Sequence, residues 1–476
     1  MSRSKDLTIF QMNDSHGYLK IHPELYWSGD HAEYRMAGGY ARIASQIDAE
    51  GEDRTLAFDC GDTIHGTYLP VQTKGRAMLP ILNALGFAAM TAHWEFAYGP
   101  EHFMSLAGEL KYPVLAINCY RKDTGDLAFP PSMIIEKNGL LVGVIGIASN
   151  IVDKTMPSSY SQGLRFTLGR EELPEQIKLL RRDRADLIVV ISHLGFPQDA
   201  RLASEAEGVD IWLGGHTHNR LCEPAYINGT AMIQSGCHGS FLGRLDLEVD
   251  GEHIKLSHRL MVVGQEINPH PQVEEMINRA LGPHRQMLET TVGRTKTALN
   301  RNTILESTTD NFLLESIFDL TEADVAFSNG WRYGAPIPSG PINVNDLYNI
   351  IPMNPPVSLV KLTGREIRNM MEENLELTFS RDPYKQMGGY VKRCLGLNIY
   401  FKMENPPGAR IQEIFIQGRR LQPDAVYSAV FASMQAVPEK YGTGREDLNV
   451  KAVEAMQRML AKGPARAELR NSVVAV

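Results

Sequence analysis

The chain has 476 residues, 43% of them hydrophobic and 22% charged, which is typical of a globular protein with two or three domains. The net charge of −8 is spread along the sequence, which argues against non-specific nucleic-acid binding. Five cysteines without a CxxC pair argue against a disulfide framework and against a thiolate zinc site. Neither a signal peptide nor an apolar run of about 18 residues is visible. We therefore expect a cytoplasmic protein without a membrane span.

Short apolar runs alternate with amphipathic stretches over residues 7–260. The predicted strands are 7–12, 55–60, 112–118, 140–148, 186–192 and 209–215, and the clearest predicted helices between them are 39–50 and 172–185. This alternation indicates an α/β layered core. Polar clusters follow most of the strands, which is where open α/β folds place their sites.

The pattern changes near residue 266. Prolines mark the start of a long amphipathic helix that we expect to serve as a linker over residues 266–291. A second unit begins after it, with predicted helices 306–319 and 363–376, a turn-rich segment 328–341, and strands 395–402 and 413–418. We therefore divide the chain into a domain of residues 1–265, the linker helix, and a C-terminal domain of residues 292–476.

Aspartate and histidine recur at four of the predicted strand ends. The side chains concerned are Asp14, His16, Asp62, His193, His216 and His218. One such residue alone is usually a helix N-cap or an ordinary surface imidazole. Packing does not explain four strand ends that all carry these residue types, and Gly214 and Gly215 would let the backbone approach closely. We interpret the six residues as metal ligands.

Imidazole and carboxylate ligands without thiolate suit manganese first, or zinc or iron, and do not suit calcium. One carboxylate bridging two divalent ions about 3.5–4 Å apart would form a two-metal hydrolase site. Such a pair lowers the pKa of a bound water and clamps the oxygens of a tetrahedral anion. The sequence therefore predicts two divalent metal ions and a small anionic substrate.

The motifs resemble those of the calcineurin-like metallophosphoesterases, and specifically of the bifunctional 5′-nucleotidase family. In the N-terminal half they are NDSHG (13–17), GGYARIA (38–44), DCGDTIHGT (59–67), ISHLG (191–195) and GGHTH (214–218). In the C-terminal half they are ESTTDN (306–311), ADVAFSNGWR (323–332), PINVNDLYNIIP (341–352) and LTGREIRNMME (362–372).

This resemblance implies a four-layer α/β/β/α metallophosphoesterase domain, followed by a smaller α+β 5′-nucleotidase C-terminal domain that binds the substrate. It also divides the metal ligands between two ions. Asp14, His16 and His218 would bind one ion, Asp62 would bridge, and His193 and His216 would bind the other.

The family's Gly-Asn-His-Glu-Phe-Asp segment supplies an asparagine ligand and a catalytic His–Asp pair. Here the matching stretch, residues 92–97, reads Ala-His-Trp-Glu-Phe-Ala. Aligned on Glu95 and Phe96, His93 takes the ligand position, while Trp94 and Ala97 replace the catalytic pair. The other alignment makes His93 the catalytic residue and leaves the ligand missing. We prefer the first, which makes His93 a seventh metal ligand and removes the usual general acid.

The substrate-binding residues depart from the family as well. Two phenylalanines of the family stack on a nucleobase, and Met353 and Met434 stand at the matching positions here. Methionine is apolar but lacks a flat π-face. Arg332 matches a family arginine that contacts substrate, and its planar fork suits a phosphate, sulfate or carboxylate.

His93-Trp94-Glu95-Phe96 and residues 382–394 also look like the sulfur-oxidation branch of this superfamily. That branch includes the dimanganese thiosulfohydrolase SoxB, which releases sulfate from a protein-bound cysteine S-sulfonate. Two rival functions therefore stand beside a phosphoesterase of the 5′-nucleotidase type: a SoxB-like hydrolase, and a metal-loaded binding protein with low turnover. In the first hypothesis, which we prefer, a metal-activated water cleaves a nucleotide-like phosphate monoester. We expect a monomer or dimer that binds neither nucleic acid nor membrane.

Overall fold

The computed structural model describes residues 5–251 and 253–476. The chain divides into two compact units: unit 1 comprises Met1–Glu24 and Arg35–Pro283, and unit 2 comprises Leu25–Tyr34 and His284–Val476. Among the described residues, no helix combines the length and apolar character needed to cross a membrane.

The helices and strands of the described residues are numbered in chain order. The helices are α1 (Tyr40–Asp48), α2 (Tyr68–Gln72), α3 (Leu79–Leu82), α4 (Pro100–Ala107), α5 (Glu172–Arg182), α6 (Phe196–Glu205), α7 (Pro271–Leu281), α8 (Arg285–Leu288), α9 (Thr308–Phe318), α10 (Val344–Ile350), α11 (Gly364–Phe379) and α12 (Ala452–Lys462). The strands of the first half are β1 (Lys5–Met12), β2 (His22–Ser28), β3 (His31–Ala37), β4 (Thr55–Asp59), β5 (Ala89–Met90), β6 (Cys119–Arg121), β7 (Ser132–Lys137), β8 (Leu140–Ile147), β9 (Leu164–Phe166), β10 (Leu187–Ser192), β11 (Ile211–Gly214), β12 (Ala225–Ile227), β13 (Thr230–Ile233), β14 (Phe241–Asp250) and β15 (His253–Val262). The remaining strands are β16 (Thr291–Thr295), β17 (Val325–Ser328), β18 (Gly340–Asn343), β19 (Pro356–Thr363), β20 (Arg393–Leu395), β21 (Leu397–Phe401), β22 (Ile411–Ile416), β23 (Arg419–Arg420), β24 (Val426–Phe431), β25 (Thr443–Lys451) and β26 (Val473–Ala475).

Unit 1 is built on two mixed sheets, with strand orders β15-β14-β1-β4-β5 and β12-β13-β11-β10-β8-β7. Strand β1 alternates its side chains between two hydrophobic cores. Leu7 and Ile9 belong to a core shared with strands of the second sheet, whereas Phe10 and Met12 pack with helices α1, α3, α4 and α7. Helix α5 covers the second sheet closely, since a Cβ on Gly143 would lie 2.9 Å from Leu180. The predicted α/β/β/α layering is confirmed.

Unit 2 is an α+β arrangement, as predicted. Its five-stranded sheet has the order β20-β17-β24-β19-β25, and a four-stranded sheet has the order β23-β22-β21-β26. One core joins the two sheets and helix α11, with Phe327, Ile367 and Phe401 among its fully buried side chains. Helix α11 begins with a capping box, in which Thr363 and Glu366 satisfy each other's backbone N–H groups.

Two local predictions are wrong. Residues 112–118 form no regular strand, because their backbone bonds to successive partners: Leu115 N–H donates to Met90, Ala116 to Pro130 and Ile117 to Gly146. Only an isolated bridge between Met90 and Val114 remains.

The long helix predicted within residues 266–291 is also absent. Helix α7 ends at Leu281 and α8 begins only at Arg285. Gly282 and Pro283 lie in the single 3₁₀ turn between them. Both residue types disfavour a helix interior, which accounts for the break.

Candidate metal centre

Four strands of unit 1, β1, β4, β10 and β11, carry six of the seven predicted ligands after their carboxyl ends, and His93 follows β5. The residues that follow adopt backbone conformations that are uncommon outside glycine. The φ angle is positive at five of the ligands: 50° at Asp14, 50° at His16, 58° at Asp62, 72° at His216 and 58° at His218. Left-handed backbone at non-glycine residues costs free energy, so it is found mainly at functional sites. Here it turns the chain sharply after each strand.

Backbone contacts lock these turns together. Asp14 N–H donates to Gly61 carbonyl at 2.9 Å, and His16 N–H donates to Asp62 carbonyl at 2.7 Å. A Cβ on Gly215 would lie 2.9 Å from Nδ1 of His193, so only glycine fits there. The close approach expected from the Gly214-Gly215 pair is therefore present.

The structure gathers all seven predicted ligands into two groups, whose potential ligand atoms lie within 4.8 Å of one another. The first group is Asp14, His16 and His218, and the second is Asp62, His93, His193 and His216. All except His218 are buried. The division is the same as the one that the family resemblance implies.

In the first group, two imidazole nitrogens face each other. Nδ1 of His16 lies 3.1 Å from the carbonyl oxygen of His65, which can only accept, so Nδ1 carries the hydrogen. The lone pair of His16 Nε2 then points at His218 Nε2, 3.2 Å away. His218 Nε2 is also 3.2 Å from Oδ1 of Asp14. This is the arrangement of ligands fixed by outer hydrogen bonds.

The carboxylate of Asp62 touches both groups. Its Oδ2 lies 3.1 Å from Nε2 of His193 and 3.8 Å from Nε2 of His16, so one oxygen is near a ligand of each group. Its Oδ1 lies 3.1 Å from Nδ1 of His93. The backbone N–H of Trp94 also donates to Oδ1 at 2.8 Å. Asp62 therefore lies between the two groups, where a bridging carboxylate would lie.

Two buried imidazoles of the second group, His193 and His93, also have one ring nitrogen left for a metal ion. Nδ1 of His193 lies 2.5 Å from the carbonyl oxygen of Cys60, which directs Nε2 toward Asp62. Nε2 of His93 is buried without a hydrogen-bond partner among the described residues. A buried polar nitrogen without a partner is costly. A divalent ion would satisfy it, so the donor set fits two metal ions.

The carboxylates of Asp62 and Asp14 attract positive charge to the second group. Burial alone would raise the pKa of Asp62, yet His93 and His193 hold it well below its usual value. Burial lowers the pKa of His193, but Asp62 and Asp14 outweigh that effect and raise it to about 10. Without a metal ion, a proton on His193 supplies this charge, and a divalent ion bound to its Nε2 would replace that proton.

Glu95 organises the centre and was not recognised from the sequence as a functional residue. Its buried carboxylate accepts the N–H groups of Thr63 at 2.6 Å, His93 at 2.7 Å and Asp62 at 3.3 Å. It thereby joins the loop after β4 to the segment that carries His93. The sequence could have indicated this role, because a charged side chain between the apolar residues Trp94 and Phe96 requires buried partners.

In the alignment that we prefer, Trp94 and Ala97 take the places of the family's catalytic pair. The Trp94 ring stacks on the His65 ring with centroids 4.6 Å apart and planes 9° apart. Ala97 is buried and offers no polar atom beyond its backbone. Neither side chain can deliver a proton to a leaving group.

The three predicted substrate residues lie in unit 2. Arg332 donates from Nη2 to the carbonyl of Gly389 at 2.9 Å, and its guanidinium carbon lies 5.3 Å from the centre of the Tyr390 ring. Met353 and Met434 are 42% and 40% exposed, respectively, which is unusual for large apolar side chains.

Comparison with known proteins gives a family match in the C-terminal half and similarity to relatives over most of the chain. Residues 287–437 match the family described as 5′-nucleotidase, C-terminal domain. The trifunctional nucleotide phosphoesterase YfkN of Bacillus subtilis is 22% identical over 87% of this chain, which spans only 30% of that protein.

Two solved structures match the chain from end to end. The sulfate thiohydrolase SoxB of Thermus thermophilus has a TM-score of 0.92 and 26% identity, covering 100% of this chain and 98% of its own. A 5′-nucleotidase precursor, also of Thermus thermophilus, has a TM-score of 0.86 and 22% identity, covering 99% of each chain.

These matches confirm the class of protein predicted from the sequence, a hydrolase of the 5′-nucleotidase type. The resemblance to the SoxB branch is confirmed as well. The chain is thus similar in sequence to 5′-nucleotidases, and its residues 287–437 match the C-terminal domain of that family.

Proposed function

We propose that the chain hydrolyses phosphate monoesters, with two divalent ions in unit 1 and a nucleotide-like substrate. The observation that carries this proposal is the position of Asp62, whose carboxylate lies between two groups of neutral and anionic ligands. A bridging carboxylate between two histidine-rich groups is the arrangement of two-metal phosphatases and nucleases. The names of the relatives support a phosphate ester as substrate.

Two bound ions would supply Lewis-acid stabilisation of the transferred anion and would lower the pKa of a water molecule. The residues of the chain supply the positioning. Glu95 holds Asp62 and His93 through backbone N–H groups, so the bridge keeps its orientation. Backbone carbonyls fix a hydrogen of His16 and of His193 on Nδ1, so Nε2 of each ring is the atom left for coordination; on His193 the metal ion would displace a proton from Nε2. Arg332 would bind the anionic or hydroxyl groups of the substrate.

The leaving group receives no help from the side chains at positions 94 and 97. Loss of a general acid costs a rate factor of roughly 10²–10⁴. Substrates with good leaving groups, whose departure needs no proton, should therefore be cleaved best. The exposed Met353 and Met434 favour a less strict choice of base than stacked aromatic rings would give.

The second candidate function is hydrolysis of a sulfate or S-sulfonate group. A specific observation favours it: the SoxB structure matches this chain with a TM-score of 0.92, against 0.86 for the 5′-nucleotidase precursor. A sulfonate is tetrahedral and anionic like a phosphate, so the same two ions would serve it. A thiol leaving group also needs no general acid, because thiolates leave readily.

A substrate panel separates these functions. Manganese-loaded protein is incubated with AMP, UMP, bis-p-nitrophenyl phosphate and cysteine S-sulfonate, and phosphate, nitrophenol and sulfate are measured. Release of phosphate from AMP or UMP, abolished by Asp62→Asn, supports the phosphoesterase. Release of sulfate alone overturns it in favour of the second candidate. Two tightly bound ions without turnover on any substrate would instead support a metal-loaded binding protein.

A further inference from the structure

A third group of potential ligands lies in unit 1 outside the two described above. It consists of His22, Glu24 and His238, all buried, with one ligand atom of each within 4.8 Å of the others. His22 and Glu24 are two residues apart on β2, so they project from the same face of the strand. His238 comes from the loop before β14 and has a φ angle of 60°, like the ligands of the first group.

Two acceptors of this group share the single hydrogen of the Ser240 hydroxyl. Nδ1 of His22 lies 3.0 Å from the carbonyl of Lys20, so Nδ1 carries the hydrogen and Nε2 is a lone pair. The Ser240 hydroxyl lies 3.1 Å from that Nε2 and 2.9 Å from Oε2 of Glu24. A hydroxyl has one hydrogen and cannot donate to both. At least one lone pair therefore faces another across a buried contact, which an ion between them would relieve.

The charge states are already those that a metal ion needs. Burial lowers the pKa of His22 to about 4, which keeps its imidazole neutral. Burial would raise the pKa of Glu24, but its contacts with His238 and Arg220 lower it to about 2, so it is anionic. The other oxygen, Oε1, is held by Arg220 at 2.7 Å, an outer contact that orients the carboxylate.

We propose that His22, Glu24, His238 and Ser240 form a third divalent metal site beside the two-metal centre. Two imidazoles, a carboxylate and a hydroxyl suit zinc or manganese. Nδ1 of His238, now 3.1 Å from Oε2 of Glu24, would coordinate once its hydrogen moves to Nε2. The site is independent of the proposed substrate.

The third ion would fasten the start of β2 to the two-metal centre. The His238 ring centre is 6.2 Å from that of His218 and 6.3 Å from that of His16. The His238 N–H also donates to the Asp14 carbonyl at 2.7 Å. Coordination of His238 would therefore restrain Asp14, a ligand of the first group, so the ion would have a structural role next to the two-metal centre.

The wild-type protein provides the decisive experiment. Crystals grown with zinc, and separately with manganese, are used for anomalous difference maps above each absorption edge. We expect a peak about 2.0–2.3 Å from Nε2 of His22 and Oε2 of Glu24. Peaks at the two-metal centre alone, in saturating zinc and in saturating manganese, would overturn the proposal. A peak at the third site without peaks at the other two would instead contradict the proposed function and leave this inference standing.

Variants give a second measurement on dialysed protein, by elemental analysis of metal per chain. His22→Gln and Ser240→Ala should each lose about one ion, and Asp62→Asn should lose ions while the third site stays filled. His258→Gln removes a half-buried imidazole of β15 outside the group and should change nothing. Equal metal content in His22→Gln and wild type would contradict the site, provided that circular dichroism shows both to be folded.

Discussion

Nε2 of His16 and Nε2 of His218 lie 3.2 Å apart inside unit 1, and the hydrogen of His16 is fixed on its other nitrogen. Two lone pairs at this distance repel unless a hydrogen or a cation lies between them. Burial lowers the pKa of His16 to about 3, so a proton on this side chain is not available at neutral pH. Without a metal ion, the hydrogen in this contact is therefore on Nε2 of His218, and metal binding would replace it.

Removal of metal should destabilise unit 1 selectively. An ion present at 100 to 1,000 times its Kd adds roughly 3–4 kcal/mol to the free energy of unfolding, which corresponds to a rise in Tm of roughly 5–15 °C. Differential scanning calorimetry with manganese and then with EDTA measures the change. Unit 2 contains none of the proposed ligands and serves as an internal control. Identical transitions with and without chelator would contradict a metal-stabilised unit 1.

Asp62→Asn should abolish both the paired metal binding and turnover. The amide keeps the shape of the side chain but loses the charge that holds two cations together. Changes to residues that merely orient ligands cost about 10–100-fold in activity, so loss of the bridge should cost more than about 100-fold. Metal content and kcat are measured together, with Asp48→Asn, an exposed carboxylate of unit 1, as the matched control. Full metal content with unchanged kcat would show that Asp62 does not bridge.

The metal ligands could be predicted from the sequence because their geometry is local. Asp14, Asp62 and His193 follow strands directly, and a strand's carboxyl end fixes where the next residues lie. His22, Glu24 and His238 could not be found in this way. Glu24 and His238 are 214 residues apart, and their contact depends on how β2 approaches the loop before β14. The pattern His-x-Glu alone is ordinary for an exposed strand.

The two wrong elements have a related cause. Residues 112–118 are apolar and buried like a strand, but apolar content does not determine which backbone groups will pair. Their N–H groups donate in turn to the carbonyl oxygens of Met90, Pro130 and Gly146, and only the tertiary structure brings these acceptors together. In the linker, the amphipathic pattern continues past Gly282 and Pro283. The prediction followed that pattern, although these two residues end the helix.

Arg332→Ala should weaken substrate binding in unit 2. A charge-assisted hydrogen bond contributes about 1.5–3 kcal/mol, so kcat/KM for an anionic substrate should fall about 10–100-fold. Arg332→Lys keeps the charge but loses the planar fork, and an intermediate loss is expected. Steady-state kinetics on the best substrate of the panel measure both variants. Unchanged kcat/KM in Arg332→Ala would show that this side chain has a structural role, through contacts such as those with Gly389 and Tyr390.

Asp346, at the start of α10, should make the stability of unit 2 depend on pH. Burial raises the pKa of its carboxyl to about 6, although the backbone N–H of Asn343 opposes this. The folded state then holds a proton between about pH 4 and 6 that the unfolded state has lost. The free energy of unfolding of unit 2 should therefore fall by up to about 3 kcal/mol as the pH rises through this range. Above about pH 6 it should no longer change.

Asp346→Asn keeps a capping oxygen but cannot titrate, so this fall should disappear. Urea unfolding at pH 4 and pH 7 measures the difference between variant and wild type. Asp424→Asn, at an exposed carboxylate of unit 2, is the control and should follow wild type. A wild-type profile in Asp346→Asn would assign the pH dependence to another group.

Restoring the family's catalytic pair should raise phosphoesterase activity. Trp94→His with Ala97→Asp would place an imidazole and its carboxylate partner on the short helical turn that already carries Glu95. A general acid in position contributes roughly 10²–10⁴-fold, and the gain should be largest for substrates with poor leaving groups such as AMP. Ala97→Asp alone buries a carboxylate without its partner and should bring no gain. Trp94→His alone tests how much of the effect needs the pair. If the double variant binds metal normally and gains nothing on AMP, the alignment that places His93 among the ligands is wrong, and His93 itself becomes the catalytic imidazole.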